Sequence, residues 1–527
     1  MDILYKKAGK IFNMHSYWTK QPVDAIESFI TKYSNPKDTI LDPFSGTGMT
    51  GVAAIKTNRN VILNDISPVC MHISKGYCTN YSVQKNILNI RETKDSLLKG
   101  LEKCYLTTCK KCGYSVPIRF SIVGEVWQSK DGLTEENRGE LMLKNTYDKI
   151  TFNKDYTFKE FRLLKICYLC GCSKEKQYKQ PDFEDLALFN KKDYLNKFYP
   201  QDDFFGQEPK RNYKRGIKKV YQLYSSRNLS VLSIIYGRIN NLKNNTLKQL
   251  YMFVFTSILF NSSLMSRYRA EYENTSIKMG TFYIPPLIKD TNVVTNFLNK
   301  YNAVIQGNTQ IFLHKPKSKV RYISENADSL ESIKPNSIDY IYTDPPYSDV
   351  ISYSELNIVF ESWLKKKTKI FDELVVNDFQ NKDIKYYSKR FEIFLNKCYS
   401  RLKKYKYMTI IFHHPNLEHW RYLQNAFVNS KLKPVISKKP IRLISKSKTS
   451  SQHKTKKHSQ CFLAFNLTKD PDYKGIVLKK AEHTEYLRLI KQLKNEAISE
   501  GYLNPSDMFD FIINRLLFNY EIKEFTL

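Results

Sequence analysis

Hydrophobic positions recur along this chain with two different periods, and the changes between them mark its elements. VDAIESFITKYS, from residue 23, has apolar positions at helical spacing. DTILDPF is a short apolar strand entering a Gly-containing turn, and MTGVAAIKT continues as a helix. NVILNDISP is a second strand, so the opening segment predicts a βαβ unit of the doubly wound kind. The alternation then stops until about Lys319, where KVRYISENADS, SIDYIYTDPPY and YMTIIFHHP read as strands with loops at their carboxyl ends, and CFLAFNL as a closing strand. Between the two halves, residues 99–185 carry a cysteine cluster, and residues 186–310 hold helical runs such as LSVLSIIYGRINNL and LKQLYMFVFTSILF. The tail from about residue 476 is helical and apolar enough to pack.

The expected architecture is one α/β sheet domain, halved as residues 1–98 and 311–470, with two insertions (99–185 and 186–310) and a C-terminal helical segment (471–527). The second half must complete the first half's sheet, because otherwise a strand edge is left unpaired.

Composition narrows the partners. Of the 527 residues, 42% are hydrophobic, which supports a buried core and excludes global disorder. The 84 Lys and Arg against 52 Asp and Glu leave a net charge of +32, which points to a polyanion, most commonly nucleic acid. MDILYKKAGKIFNMHSYW has no continuous apolar core before a small-residue cleavage site, and the longest apolar stretch, near Tyr251 to Phe260, is too short to span a bilayer. A cytoplasmic protein without a membrane partner is expected.

The loop Asp42-Pro43-Phe44-Ser45-Gly46-Thr47-Gly48-Met49-Thr50 joins an apolar strand to a helix. Two glycines there let backbone approach a ligand closely. Asp65 closes the next strand, followed by Ile66, and an acid at that place can hold a ribose diol. The loop lacks both the G-K-[ST] ending of a phosphate cradle and the third glycine of a dinucleotide site. A nucleoside cofactor without phosphates fits best, which points to S-adenosylmethionine.

Thr343-Asp344-Pro345-Pro346-Tyr347 follows a second apolar strand. The exocyclic amine of adenine or cytosine is a poor nucleophile, since its lone pair is conjugated into the ring. Acceptors on its hydrogens would localise that pair; Asp344 can supply one and the Pro345 carbonyl another, held by prolines that fix φ. Tyr347 offers a face on which an extruded base can stack.

Cys109-x-x-Cys112 and Cys167-x-x-Cys170 are two knuckles whose four thiolates suit structural zinc, with Cys104 and Cys172 as spare candidates. The 54 residues between Cys112 and Cys167 require a hairpin excursion. Residues 431–457 hold ten Lys or Arg and no acid, as suits either a phosphate-tracking surface or a solvated loop. His413 and His414 receive no role, and Cys70 lacks the Pro-Cys context of a C5-cytosine nucleophile.

DPFSGTG together with TDPPY resembles the amino-methyltransferases that make N6-methyladenine or N4-methylcytosine in DNA. The segment His15-Ser16-Tyr17-Trp18-Thr19-Lys20-Gln21-Pro22 is similar to the family's segment before the cofactor loop. The likeness implies that Lys20 and Pro22 lie near the methionine end of S-adenosylmethionine and that Asp328 lies at its adenine. TDPPYSDVISYSELNIVFESWL, with Tyr353, Glu355, Leu356 and Trp363, looks like a subgroup of adenine-specific methylases carrying a zinc ribbon, and SSRNLSVLSIIYGRI is similar to a helix of that subgroup. The resemblance thus implies a doubly wound, Rossmann-like methyltransferase sheet interrupted by a zinc-ribbon and helical insertion, acting on double-stranded DNA, with a restriction or defence-system subunit as a possible partner. One departure is that the insertion falls between Asp65 and the Asp328 strand, not between the latter and DPPY as in the common adenine group. N4-cytosine, RNA guanine-N2 and a non-catalytic zinc-ribbon nucleic-acid-binding protein are the alternative readings.

Overall fold

The structure is a computed structural model that describes residues 2–5, 9–81, 87–143, 156–269, 272–437, 439–445, 462–480 and 482–522. The basic stretch 431–457 lies outside the described residues at 438 and from 446 onward.

Nine strands form the main sheet: β1 (Asp2–Tyr5), β2 (Thr39–Asp42), β3 (Asn60–Asn64), β4 (Val320–Ile323), β5 (Ile338–Thr343), β6 (Leu402–Phe412), β7 (Lys433–Pro434), β8 (Ile441–Ser445) and β9 (Phe462–Thr468). Their order is β1-β8-β9-β6-β5-β2-β3-β4, with β7 also pairing β9. Strands β4, β3, β2, β5 and β6 run parallel, and β9 is antiparallel to β6. This mostly parallel mixed α/β sheet fits a methyltransferase fold. The chain moves outward from β2 through β3 to β4 and returns on the other side at β5, so the switch in direction lies between β2 and β5. Open α/β sheets bind ligands at such a point, beyond the carboxyl ends of the strands.

Period-two alternation divides the strand side chains between two cores. Ile40, Val61, Leu63, Tyr340 and Tyr342 face one, with helices α1 (Val23–Tyr33), α2 (Met49–Lys56) and α3 (Pro68–Cys78). Leu41, Ile62 and Ile341 face the other, with helices Ile384–Arg401, Leu417–Asn429 and the C-terminal Pro505–Asn519. The tail is fastened there by Gln424, whose Nε2 donates to the carbonyls of Leu516, Leu517 and Tyr520 at 3.0, 3.0 and 2.7 Å.

The interruption leaves the sheet intact because β4, after it, pairs directly with β3, before it, in the register Val320↔Val61. Helices Ser226–Asn240, Asn245–Ile258 and Val293–Ile311 cover the first core. Gly76 of α3 permits this approach: a Cβ there would lie 2.0 Å from the Phe253 ring. A second sheet is built on the long hairpin Ser115–Ser129 and Tyr156–Tyr168, the excursion expected between the cysteine pairs. Strand Leu287–Thr291 joins the same sheet from the helical stretch, so the two insertion segments share one sheet across the expected boundary at residues 185/186. The Arg227–Asp290 ion pair, at 2.7 Å and buried, ties helix to sheet, and Arg227 also donates to Ser121 at 2.9 Å.

Candidate active site

Asp42 ends β2 and folds the following loop onto itself: one oxygen accepts from the Phe44 N–H at 3.1 Å, the other from the Thr50 hydroxyl at 2.5 Å. The Ser45 N–H reaches the Asn64 carbonyl at 2.8 Å, which sets the loop beside the end of β3. Asp65 then accepts from the Gly46 and Ser67 N–H groups, both at 2.9 Å. The two glycines serve different ends. Gly46, at φ +47°, has open space where a Cβ would stand, whereas at Gly48, φ +79°, a Cβ would come within 2.8 Å of Ser74 on α3. The second glycine is therefore a packing requirement between α2 and α3.

The strand carrying TDPPY lies against the strand carrying DPF, with Tyr340 opposite Ile40 and Ile341 opposite Leu41. Both loops consequently open into one cavity of about 310 Å³. It is lined by Lys20, Asp42, Pro43, Phe44, Gly46, Thr50, Asp65, Ile66, Asp328, Asp344, Pro345, Pro346 and Tyr347. Of the expected residues, Pro22 and Gly48 are not on its wall. Pro22 instead caps α1, its carbonyl accepting from Ile26 at 3.3 Å. Burial pushes the Asp65 carboxyl up to about 6 and that of Asp42 up to about 7, against the opposing pull of their hydrogen bonds.

Asp344 is held on both oxygens, by the Gln21 amide at 2.6 Å and by the Tyr347 hydroxyl. Each carboxylate oxygen has two lone pairs, so both contacts leave capacity to accept from a further donor. Tyr387 donates to the Pro346 carbonyl at 2.6 Å, while the Pro345 carbonyl makes no hydrogen bond among the described residues. The Tyr347 ring packs edge-on to Phe412 and tilted to Phe462, at 5.5 and 5.9 Å between centroids. Asp328 pairs with Arg390, which also donates to the Tyr386 hydroxyl at 2.8 Å. Lys20 donates to the carbonyls of Phe12 and His15, and burial, with the nearby charge of Lys300, pulls it down to about 7.

The segment 15–22 is stitched to helix Tyr353–Leu364. Trp18 donates to Asn357 at 3.0 Å, Asn357 to the Tyr17 hydroxyl at 3.1 Å, and Thr19 meets the Tyr353 hydroxyl at 2.9 Å. Glu355 of the same helix accepts from the Gln207 and Glu208 N–H groups at 2.8 and 3.0 Å, locking the insertion onto the half that carries the DPPY loop. Cys70 lies 3.2 Å from the Tyr17 hydroxyl and burial pushes its thiol well up, which suits no nucleophile. The sequence reading gave no role to Gln21, Glu373, Arg390 or His413, all of which line the cavity. Gln21 had a signal, its place between Lys20 and Pro22; the others reach the site only through long-range packing.

Four cysteines converge elsewhere, and they are Cys109, Cys112, Cys170 and Cys172. Cys167 is not among them, a correction to the expected pair of C-x-x-C knuckles. It lies within strand Tyr156–Tyr168, whose alternation buries it with Phe120, Ile122, Leu164 and Leu287. Cys170 and Cys172 lie beyond the strand's end, in the turn that closes on Cys109 and Cys112. The sulfurs of Cys109 and Cys172 are 3.7 Å apart and those of Cys112 and Cys170 3.4 Å. Zn–S bonds of about 2.3 Å in a tetrahedron place sulfurs about 3.8 Å apart, so the donor set fits a closed metal site. His414, next to His413, sits 2.8 Å from Asp349 and stacks on His419.

The fold brings the DPF and DPPY loops, from adjacent parallel strands, to one cavity at the carboxyl ends of the sheet. Residues 4–76 match the family model described as DNA methylase, a stretch that carries both the 15–22 segment and the DPFSGTG loop. The chain is also similar to Type II methyltransferase M.MjaII of Methanocaldococcus jannaschii, 25% identical over 365 residues, 67% of this chain. The chain spans 62% of that relative's length. Both likenesses support the DNA methyltransferase family. No helix among the described residues is long and apolar enough to cross a membrane.

Proposed function

We propose that this protein is an S-adenosylmethionine-dependent DNA methyltransferase acting on the N6 amine of an adenine turned out of double-stranded DNA. The observation that carries the reading is the opening of the DPF-containing and DPPY-containing loops, from adjacent parallel strands, into one cavity. Bound S-adenosylmethionine supplies an electrophilic methyl group on a sulfonium leaving group. Asp65 accepts the ribose hydroxyls, Asp328 faces the cofactor adenine, and the Gly46 loop admits the chain between them. Asp344 and the Pro345 carbonyl take the hydrogens of the target amine, which restores its lone pair as a nucleophile. Tyr347 supports the target base and orients Asp344. Proximity and alignment supply most of the rate, since no covalent intermediate is required. The net charge of +32 supports a polyanionic substrate. The cysteine cluster holds structural zinc, because four thiolates leave no position for water. The protein works in the cytoplasm, and a restriction or defence-system subunit belongs to the same proposal.

The test is mass spectrometry of nucleosides from DNA of methylase-free cells expressing the protein, beside an Asp344→Ala control. N6-methyladenine in the first and its absence in the second is the expected result. N4-methylcytosine would keep the chemistry and change the base, since the same acceptors serve that amine. Unmodified DNA in both, with cofactor-binding protein present, would overturn the reading.

A further inference from the structure

The segment between helix Tyr353–Leu364 and helix Ile384–Arg401 forms one wall of the cavity through Thr368, Asp372, Glu373 and Leu374. In its midst, on the turn Ile370–Asp372, the Phe371 side chain leaves the wall and stands in solvent, 83% exposed. Other apolar side chains of this protein stand equally bare, Phe183 at 85% among them, and what distinguishes Phe371 is its place in the chain beside Asp372 on the cavity wall. Its backbone is not loose. Lys382, itself buried, donates to the carbonyls of Ile370 and Glu373 at 2.7 and 2.8 Å, and the Tyr386 hydroxyl to that of Phe371 at 3.4 Å. The Glu373 carboxylate accepts from the Ser354 hydroxyl at 2.7 Å, tying the turn to the helix that follows the DPPY loop. The fold thus holds the base of this turn rigidly and leaves its aromatic tip bare.

The surroundings indicate what the tip meets. Lys366 and Lys369 precede it and Lys385 and Lys389 follow on the next helix, all exposed. On the loop after Tyr347, Val350 both lines the cavity and is 46% exposed, a second apolar group at its mouth. Apolar side chains set among lysines match a stacked duplex, with base faces to receive the ring and phosphates to receive the cations. A base drawn into the cavity leaves a gap in the stack, and the unstacking cost falls when an apolar group fills that gap.

We propose that Phe371 is a wedge that enters the DNA stack as the target base leaves it. This rests on the DNA methyltransferase reading above and adds to it the residue that opens the duplex.

The test uses the full chain, radiolabelled S-adenosylmethionine and one plasmid, supplied either as duplex or heat-denatured. Phe371→Ala should slow single-turnover methyl transfer to duplex by roughly tenfold or more, with a loss under about twofold on the denatured strands, where no stack opposes extrusion. Phe371→Trp, which keeps a flat ring, should restore most of the duplex rate. Equal losses on both forms, or full activity of Phe371→Ala on duplex, would overturn the wedge and leave the methyltransferase reading standing. Absence of transfer by the unsubstituted protein to either form would remove that reading and the wedge with it. If denatured strands are not substrates, permanganate reactivity of thymines left without partners in the duplex decides. Its loss in Phe371→Ala, with unchanged cofactor affinity, supports the wedge, and its persistence overturns it.

Discussion

The hairpin sheet and the cavity end of the nine-stranded sheet treat their buried charges differently. In the hairpin sheet and its helices, charges close on one another: Arg227 on Asp290 at 2.7 Å, Lys179 on Asp185 at 2.8 Å, Arg215 on Glu125 at 2.6 Å. At the carboxyl ends of β2 and β3, Asp42 and Asp65 are bonded to N–H and O–H groups and meet no cation among the described residues. Burial without a counter-charge raises both carboxyls, to about 7 and about 6. A buried charge already paired marks scaffold, whereas one left at the carboxyl end of a strand, facing a cavity, marks a place where a ligand completes the set.

The sharpest way to break this contrast is to remove the cavity carboxylate to which the proposed function gives the target amine. Asp344→Ala should lower the methyl-transfer rate constant by about 10²- to 10⁴-fold, as expected when a positioned acceptor of the reacting group is lost. Cofactor affinity, measured by calorimetry, should change by less than about twofold, because the proposed function assigns cofactor and target amine to different residues. A parallel loss of cofactor binding would mean that Asp344 supports the fold, and the distinction between the two kinds of carboxylate would fail for it.

The converse change falls on the scaffold. Asp290→Ala strands Arg227 in a buried setting, and breaking such a pair costs about 3–5 kcal/mol. Denaturant unfolding should show that loss, while the folded fraction keeps the parent's cofactor affinity. Retained stability would place the pair outside the scaffold role.

How far the sequence disclosed these arrangements depended on how local each signal was. The DPF and DPPY loops could be read because strand, turn and helix are contiguous there and glycine and proline have few other uses in such places. Asp65 followed from its spacing. Asp2–Tyr5 and Ile441–Ser445 could not be read as strands, since they pair with each other at the far edge of the sheet and the second lies in a stretch dominated by lysine. Asp2 and Arg442 seal that pairing with two hydrogen bonds of 2.9 and 2.7 Å, a contact across nearly the whole chain. The cysteine assignment turned on where one strand stops. Spacing favoured Cys167 with Cys170 and left Cys172 spare, and only the end of the strand at Tyr168 puts the first on a core face and frees the other two for the cluster.

That last point can be sharpened directly. Cys172→Ser should weaken metal binding beyond the roughly 10- to 100-fold seen when outer partners of a site are lost. Cys167→Ser should keep the parent's metal content, read by elemental analysis of the purified protein. Full metal in the first variant and loss in the second would restore the two C-x-x-C knuckles.

The smallest effect tests why Asp65 is left uncompensated. Its folded value, about 6, lies above that of a free carboxyl. By linkage, the protonated group favours the ligand-free fold, and that contribution fades as pH rises through about 6. A ribose diol donates hydrogen bonds and prefers the charged carboxylate, so cofactor affinity moves the other way. It should be nearly flat above about pH 7 and fall toward tenfold per unit below about pH 6. Asp65→Asn should bind more weakly at neutral pH and lose most of this slope. Asp42 remains in that variant, so any slope that persists belongs to it or to another group. Calorimetric titrations with S-adenosylmethionine across this range distinguish the cases. An affinity independent of pH in the unsubstituted protein would mean that the cofactor does not draw on the Asp65 charge, and the carboxylate would then serve the loop through Gly46 and Ser67 alone.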